Sequence, residues 1–185
     1  MIVWLVRHGQ ADWPAGAALG WSDPPLDGRG EAQAGAVSER LANRPLGAVH
    51  SSDLRRARVT AEAVAVPHRL PVLESAELRE LAFGEWEGRL LADLWLERPD
   101  EARRWESDVR QSPASFAESV PDLERRVRAF AGRLRLEGPG GGEEVVVVAH
   151  RGSLAALHAV LAGRDFAWSF RNLPLAHGEE LRLTC

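Results

Sequence analysis

The sequence contains no lysine, so all 23 of its basic residues are arginine. A P-loop depends on a lysine that contacts the nucleotide phosphates, which excludes a Walker-type NTPase. Schiff-base chemistry and the anchoring of pyridoxal phosphate are excluded for the same reason. Any anion that the protein binds must therefore be held by arginine, histidine or backbone N–H groups. The planar guanidinium of arginine suits bidentate binding of phosphate.

Cysteine and long apolar runs are also scarce. Cys185 is the single cysteine, which excludes an internal disulfide and a cysteine metal cluster. The longest apolar run, residues 145–149, is far shorter than the roughly 20 residues of a membrane-spanning helix. Residues 1–6 are apolar without a preceding basic region, which indicates a buried strand rather than a signal peptide. We therefore expect a cytoplasmic protein that does not bind membranes. The net charge of −4 gives no sign of nucleic-acid binding.

Length and pattern predict one α/β domain over residues 1–185. The chain has the size of an ordinary domain and shows neither a repeat nor a linker. Apolar runs alternate with helical patterns, which is typical of a three-layer α/β/α sandwich with a mostly parallel sheet and helices on both faces. The predicted strands are residues 2–6, 48–51, 71–73, 145–149 and 180–184. The predicted helices are residues 29–43, 53–66 with Asp53 as a cap, 90–108 with an interruption near Pro99, 116–136 and 152–161, with a break at residues 138–142.

Two histidines follow predicted strands in equivalent positions. His8 follows the first strand, His150 follows the fourth, and the glycines Gly9 and Gly152 lie close behind them. Ligands of open α/β sheets bind beyond the carboxyl ends of the strands, so adjacent strands would place both histidines over one crevice. A glycine there lets an anion approach the backbone. A helix beginning near Gly152 would also direct unpaired N–H groups at that anion.

Arginines accompany these histidines. Arg7 precedes His8, and Arg55 and Arg56 begin the predicted helix after the second strand. An arginine in that position can reach the same crevice, although such a pair is more often a surface feature. A cationic crevice suits phosphate esters, because their transfer reactions depend on positioning and on stabilising charge spread over the phosphoryl oxygens.

Five sequence blocks, in order and across almost the whole chain, resemble the histidine phosphatase superfamily, also called phosphoglycerate-mutase-like. They are Leu5-Val6-Arg7-His8-Gly9-Gln10; Gly20-Trp21-Ser22-Asp23-Pro24-Pro25-Leu26 with Gly30 and Gln33; Ser51-Ser52-Asp53-Leu54-Arg55-Arg56-Ala57 with Thr60-Ala61; Leu78-Arg79-Glu80 through Phe83-Gly84-Glu85-Trp86-Glu87-Gly88; and Val148-Ala149-His150 with Gly152.

The resemblance implies a role for each matching residue. His8 would be the nucleophile that becomes a phosphohistidine, and Arg7 and Arg56 would clamp the phosphate. His150 would hold another phosphate oxygen, and Glu80 would protonate the leaving oxygen as the general acid. The further predicted phosphate contacts are Gly9, Gln10 and Gly152, whereas Glu85 and Glu87 are predicted to be surface or supporting groups. No metal ion or other cofactor is expected, since no histidine or carboxylate cluster has metal-ligand spacing.

The sequence departs from the family pattern at three positions. Ala11 stands where threonine or serine is frequent. Pro14 stands where the family usually has a phosphate-contacting asparagine, and it has no side-chain donor. Arg151, directly after the second histidine, stands where small residues are commoner. Its side chain could add a cation to the site or point to solvent, and the sequence leaves both open.

The block at residues 83–88 is similar to that of the phosphatase branch, which includes the α-ribazole-phosphate phosphatase type. We therefore predict a metal-independent phosphatase that acts on a small phosphorylated metabolite. A cofactor-dependent phosphoglycerate mutase and a non-catalytic phospholigand-binding module remain as alternatives. Residues 86–116 are expected to cover the mouth of the site. Trp95 and Trp105 in this segment are either core residues or part of the substrate wall.

Overall fold

The valine-rich strand at residues 144–149 lies in the centre of the sheet, and all six of its residues are buried. In the computed structural model, which describes residues 1–137 and 143–185, parallel strands flank it on both sides. The strands are Ile2–Arg7 (β1), Leu46–Ser51 (β2), Val72–Glu74 (β3), Glu144–Ala149 (β4) and Glu180–Thr184 (β5). The sheet order is β3-β2-β4-β1-β5, with β5 antiparallel to β1 at one edge and the other pairs parallel.

Helices cover both faces of this sheet. Gly28–Leu41 (α1) and Arg55–Ala65 (α2) pack against one face, where Val37, Leu41 and Val64 join the buried side chains of β1, β2 and β4. Val120–Glu137 (α5) and Arg151–Ala162 (α6) pack against the other face. The predicted three-layer α/β/α sandwich with a mostly parallel sheet is therefore confirmed. The remaining helices are Leu91–Glu97 (α3), Pro99–Ser107 (α4) and Phe166–Asn172 (α7).

Most predicted elements are present within one to four residues of their predicted ends, but the predicted cap of α2 is wrong. The residue that precedes the helix is Leu54, which makes no side-chain cap. Asp53 instead accepts a hydrogen bond from Arg79 Nε at 2.8 Å. An aspartate that meets a guanidinium group from a distant segment makes a charge-assisted bond, which is stronger than a neutral one.

Two helical predictions on the α5 face also need correction. The helix predicted from residue 116 begins at Val120, because Phe116 packs edge-on against Phe83 and Trp86. The short helix α7 was not predicted at all.

The predicted break at residues 138–142 lies outside the described residues. Among the described helices, none combines the length and the apolar character that a membrane crossing requires.

Candidate active site

The ends of β1 and β4 bring the two predicted histidines together. These strands are parallel neighbours, and Arg7 pairs with Ala149 at their last shared position. The N–H of His8 donates to Ala149 O at 3.1 Å, and His150 is the N-cap of α6, directly after β4. The imidazole centroids lie 4.9 Å apart, and both rings are buried. The sequence prediction that both histidines share one edge of the sheet is therefore confirmed.

One ring nitrogen of His8 is fixed and the other is available. Nδ1 lies 2.6 Å from the backbone oxygen of Gly9, and because a carbonyl oxygen only accepts, Nδ1 must carry a proton. Burial, followed by the charge of Arg56, holds the pKa of His8 well below its usual value of 6.5. His8 is therefore a neutral imidazole at pH 7 whose lone pair lies on Nε2, as a histidine nucleophile requires.

Two arginines lie beside His8, and one of them is half-buried and the other fully buried. Arg56 is fully buried, and it donates from Nη1 to Ser22 O and from Nη2 to Gly20 O, both at 2.7 Å. Arg7 donates from Nη1 to Leu175 O at 3.2 Å. Within the described chain, the buried Nε atoms of both arginines have no hydrogen-bond partner. Burial lowers the pKa of both guanidinium groups, but arginine stays charged at neutral pH, so the two form an anion-binding pair.

His150 offers two further unpaired nitrogens. Both of its ring nitrogens are buried, and neither has a partner among residues 1–137 and 143–185. Its backbone N–H donates to Ser153 Oγ at 3.2 Å, which fixes the residue at the start of α6. Burial, and then the charge of Arg56, lowers the pKa of His150 well below 6.5. Because unpaired buried polar atoms are rare, this ring is suited to hydrogen-bond a ligand.

Glu80 reaches the same site from the segment after β3. Its side chain is buried, and its Oε1 accepts from Leu81 N at 2.8 Å and from Gly152 N at 3.0 Å. The N–H of Gly152, predicted to contact phosphate, is thus bonded to Glu80 in this structure. A Cβ at position 152 would lie 2.3 Å from Glu80 Oε1. Glycine is therefore required there to admit the carboxylate.

Gly9 and Gln10 also have protein partners in place of the predicted phosphate contacts. The N–H of Gly9 donates to Thr60 Oγ1 at 3.1 Å, and a Cβ on Gly9 would lie 2.3 Å from Gly30 O. The side-chain amide of Gln10 donates to Asp27 Oδ2 at 2.9 Å. Gly9 therefore ties the loop after β1 to α2, whereas Gln10 ties it to the N-cap residue of α1.

Glu87, predicted to be a surface or supporting group, supports the site through the backbone. Its carboxylate accepts from Gly20 N at 2.9 Å and from Ser22 N at 3.0 Å. These two residues supply the carbonyl oxygens that hold Arg56, so Glu87 shapes the loop that aims the guanidinium group. Glu85 is exposed and pairs with Arg98 at 2.7 Å, as expected of a surface group.

His177 was not predicted, yet its ring centroid lies 5.2 Å from that of His8. It precedes Gly178, whose N–H donates to Arg7 O at 3.0 Å and to His8 O at 3.2 Å. Burial and then the charge of Arg7 lower the pKa of His177 to about 4. The signal that could have located His177 is its position just before the last strand. A strand that pairs antiparallel with β1 begins beside the carboxyl end of β1, where His8 lies.

Of the three departures from the family pattern, Ala11 is buried and the other two lie at the surface. Pro14 is exposed, and Arg151 is exposed with its guanidinium group over Phe170, donating to Phe170 O at 3.0 Å. Trp105 packs edge-on against Phe170, with ring centroids 5.9 Å apart, whereas Trp95 is partly exposed.

No group of three or more histidine, cysteine or acidic residues in the described ranges is arranged to hold a metal ion.

The site combines a neutral histidine with two arginines, a second histidine and a carboxylate, which is the arrangement that the five blocks imply. The sequence model of the histidine phosphatase superfamily (branch 1) matches residues 3–183. The chain belongs to this superfamily. Phosphoserine phosphatase 1 of Hydrogenobacter thermophilus is 31% identical over 185 residues, covering 96% of this chain and 87% of that protein. Adenosylcobalamin/alpha-ribazole phosphatase of Salmonella typhimurium is 33% identical over 174 residues, covering 92% and 85%.

Solved structures of this superfamily share the fold. Mycobacterial glucosyl-3-phosphoglycerate phosphatase in complex with VO3 superposes with a TM-score of 0.88 at 31% identity. The superposition covers 99% of this chain and 90% of that one. The family resemblance read from the sequence is therefore confirmed over nearly the whole chain.

Proposed function

We propose that this single-domain protein hydrolyses phosphate monoesters of small metabolites through a phosphohistidine on His8. The observation that carries the proposal is the set of buried, unpaired donors around a neutral His8. The Nε atoms of Arg7 and Arg56 and the ring of His150 all lack protein partners in the described structure. A phosphate monoester is nearly a dianion at pH 7 and would satisfy these donors.

The proposed reaction has two steps. In the first, Nε2 of His8 attacks phosphorus, the bond from phosphorus to the ester oxygen breaks, and protonated Glu80 gives its proton to the leaving alcohol. In the second, water attacks the phosphohistidine and loses a proton to the Glu80 carboxylate, and the phosphorus–nitrogen bond breaks to release inorganic phosphate. Arg7, Arg56 and His150 would stabilise the charge on the transferring group in both steps.

The relatives support small phosphate esters as the substrate class. They include phosphatases named for phosphoserine, for alpha-ribazole and for glucosyl-3-phosphoglycerate. The mechanism above needs no metal ion, because arginines and histidines supply the positive charge and the hydrogen bonds. We therefore propose a metal-independent reaction and a panel of these esters as the first substrates to assay.

The experiment is a phosphate-release assay on this panel and on p-nitrophenyl phosphate, with EDTA present. Wild type is expected to turn over at least one ester, and His8→Ala is expected to lose at least ~1000-fold in kcat, as is typical when a nucleophile is removed. His68→Ala, in the turn Val66–His68 after α2, is the control and should keep full activity.

Three outcomes would reject the phosphatase proposal. Retention of most activity by His8→Ala would contradict the nucleophile. Conversion of 3- to 2-phosphoglycerate that depends on 2,3-bisphosphoglycerate, without net hydrolysis, would identify a mutase. Phosphate binding without turnover of any ester would identify a binding module.

A further inference from the structure

The segment that carries Glu80 lacks regular structure to hold it in place. It lies between the short 3₁₀ turns Ala76–Leu78 and Gly84–Trp86, outside the sheet and the long helices. A catalytic group must be held within roughly 0.5 Å of its productive position by surrounding groups. Contacts from other parts of the chain must therefore fix this segment.

Arg126 on α5 supplies three of these contacts. Its Nη1 donates to the backbone oxygens of Glu77 and Arg79, both at 2.7 Å. Its Nη2 donates to the backbone oxygen of Glu80 at 2.9 Å. One guanidinium group thus holds three carbonyl oxygens within the four residues that end at the proposed acid.

The orientation of Arg126 is itself fixed. Its Nε donates to Glu118 Oε1 at 2.6 Å and its Nη2 to Glu118 Oε2 at 2.9 Å, and both side chains are largely buried. Together with the three carbonyl bonds, these contacts use all five N–H donors of a guanidinium group. A lysine, with three donors on one nitrogen, cannot reproduce this arrangement.

Trp21 adds a second donor to the same backbone oxygen. Its indole Nε1 donates to Glu80 O at 2.7 Å, and the side chain is 45% exposed. The backbone of the acid is therefore held from the core by Arg126 and from the surface by Trp21.

We infer that Arg126 is a positioning residue for the general acid Glu80 and acts through the backbone of residues 77–80. The inference rests on the proposed function, since it assigns Arg126 a part in the same reaction. A strongly basic alkoxide needs protonation to leave, whereas p-nitrophenolate leaves readily without it. Displacement of Glu80 should therefore slow alkyl esters selectively, whereas unfolding or loss of phosphate binding would slow both kinds of ester alike.

The test compares kcat/KM for the best alkyl phosphate of the panel with that for p-nitrophenyl phosphate. Arg126→Lys keeps the positive charge but loses the planar set of five N–H donors. It is expected to slow the alkyl ester by about 30-fold and the aryl ester by less than about threefold, because general acid catalysis contributes roughly 10²–10⁴-fold. The matched control is Arg125→Lys, the exposed neighbour on α5 that pairs with Asp122, and it should change neither value.

Equal losses on the two esters, or no loss on either, would overturn the inference. If Arg126→Lys fails to fold, Trp21→Phe provides a second test. The Trp21 side chain is half-exposed, and its replacement removes one donor to Glu80 O. A selective loss of about fivefold, equivalent to one hydrogen bond, is expected for it, and an unselective effect would count against the inference.

Glu80→Gln separates this inference from the proposed function. If Glu80→Gln slows both esters equally, the acid role of Glu80 fails and Arg126 has no acid to position. If Glu80→Gln slows the alkyl ester selectively and Arg126→Lys does not, the acid role stands and only the role of Arg126 is overturned.

Discussion

At the scale of single residues, the site depends on groups that hold the backbone as well as on groups that face the phosphate. Arg56 is aimed by the carbonyl oxygens of Gly20 and Ser22, and Glu87 binds the N–H groups of the same two residues. Glu85 and Glu87 stand two residues apart in one block, and nothing in their spacing distinguishes them. The difference arises only when the chain folds and residues 20–22 meet Glu87.

The substitution Glu87→Gln tests this arrangement. Glutamine has one acceptor oxygen, and its amide nitrogen would face a backbone donor, so the loop would shift and Arg56 with it. We expect the inhibition constant of inorganic phosphate to rise about tenfold, the equivalent of one lost charge-assisted hydrogen bond. Glu85→Gln is the matched control and should leave that constant within about twofold, since surface ion pairs contribute little. Equal behaviour of the two variants would contradict the role of Glu87.

The residues that face the site were largely predictable from the sequence. Arg7, His8, Arg56, Glu80 and His150 belong to the matching blocks, and the structure brings them to one edge of the sheet. The supporting residues His177 and Arg126 were not predictable in this way. His177 reaches His8 because β5 runs antiparallel to β1, and Arg126 meets Glu80 through carbonyl oxygens, which leave no pattern of side chains to read.

At the scale of elements, the sequence predicts a helix or strand best when all residues of the segment have the same environment. The strand β4 is buried at every position, and its continuous apolar run predicted this. The cap at Asp53 and the helix start at residue 116 failed because partners distant in sequence, Arg79 and Trp86, decide those positions. The short helix α7 has only seven residues, too few for a clear helical period.

Two glycines in α1 provide a test of how that helix supports the loop of His8. A Cβ at Gly30 would lie 2.0 Å from Gln10 O, whereas nothing lies within 4 Å of a Cβ at Gly35. We expect Gly30→Ala to lower the free energy of unfolding by about 1–3 kcal/mol through overpacking. Gly35→Ala should raise it by about 0.5–1 kcal/mol, because alanine favours the helix.

Urea unfolding of the two variants measures both effects on one helix. Stabilisation by both alanines would contradict the close packing of α1 against residues 9 and 10. Loss of stability in both would show instead that the helix is sensitive to any change.

At the scale of the whole molecule, the buried histidines make the fold less stable in acid. Burial is the main cause that holds the pKa of His8, His150 and His177 below 6.5. Below pH 6.5 the unfolded chain therefore binds protons that the folded protein does not. The free energy of unfolding therefore decreases as the pH is lowered. For His177, with a folded pKa of about 4, the loss between pH 7 and pH 5 is about 2 kcal/mol.

The variant His177→Asn removes this one titration. Its free energy of unfolding should fall by about 2 kcal/mol less than that of wild type between pH 7 and pH 5. The measurement is urea unfolding in phosphate-free buffer, because a bound anion would stabilise the folded state. Parallel pH profiles for the two proteins would contradict the burial of a neutral His177.

In the proposed reaction His8 carries the phosphoryl group, and rapid quenching with a phosphate-labelled ester detects that adduct. We predict that the label appears on the protein within the first turnover, bound as an acid-labile phosphohistidine in the peptide that contains His8. His8→Gln should form no such adduct. Label on another residue, an unchanged adduct in His8→Gln, or product formation with no labelled protein at any quench time would contradict the claim.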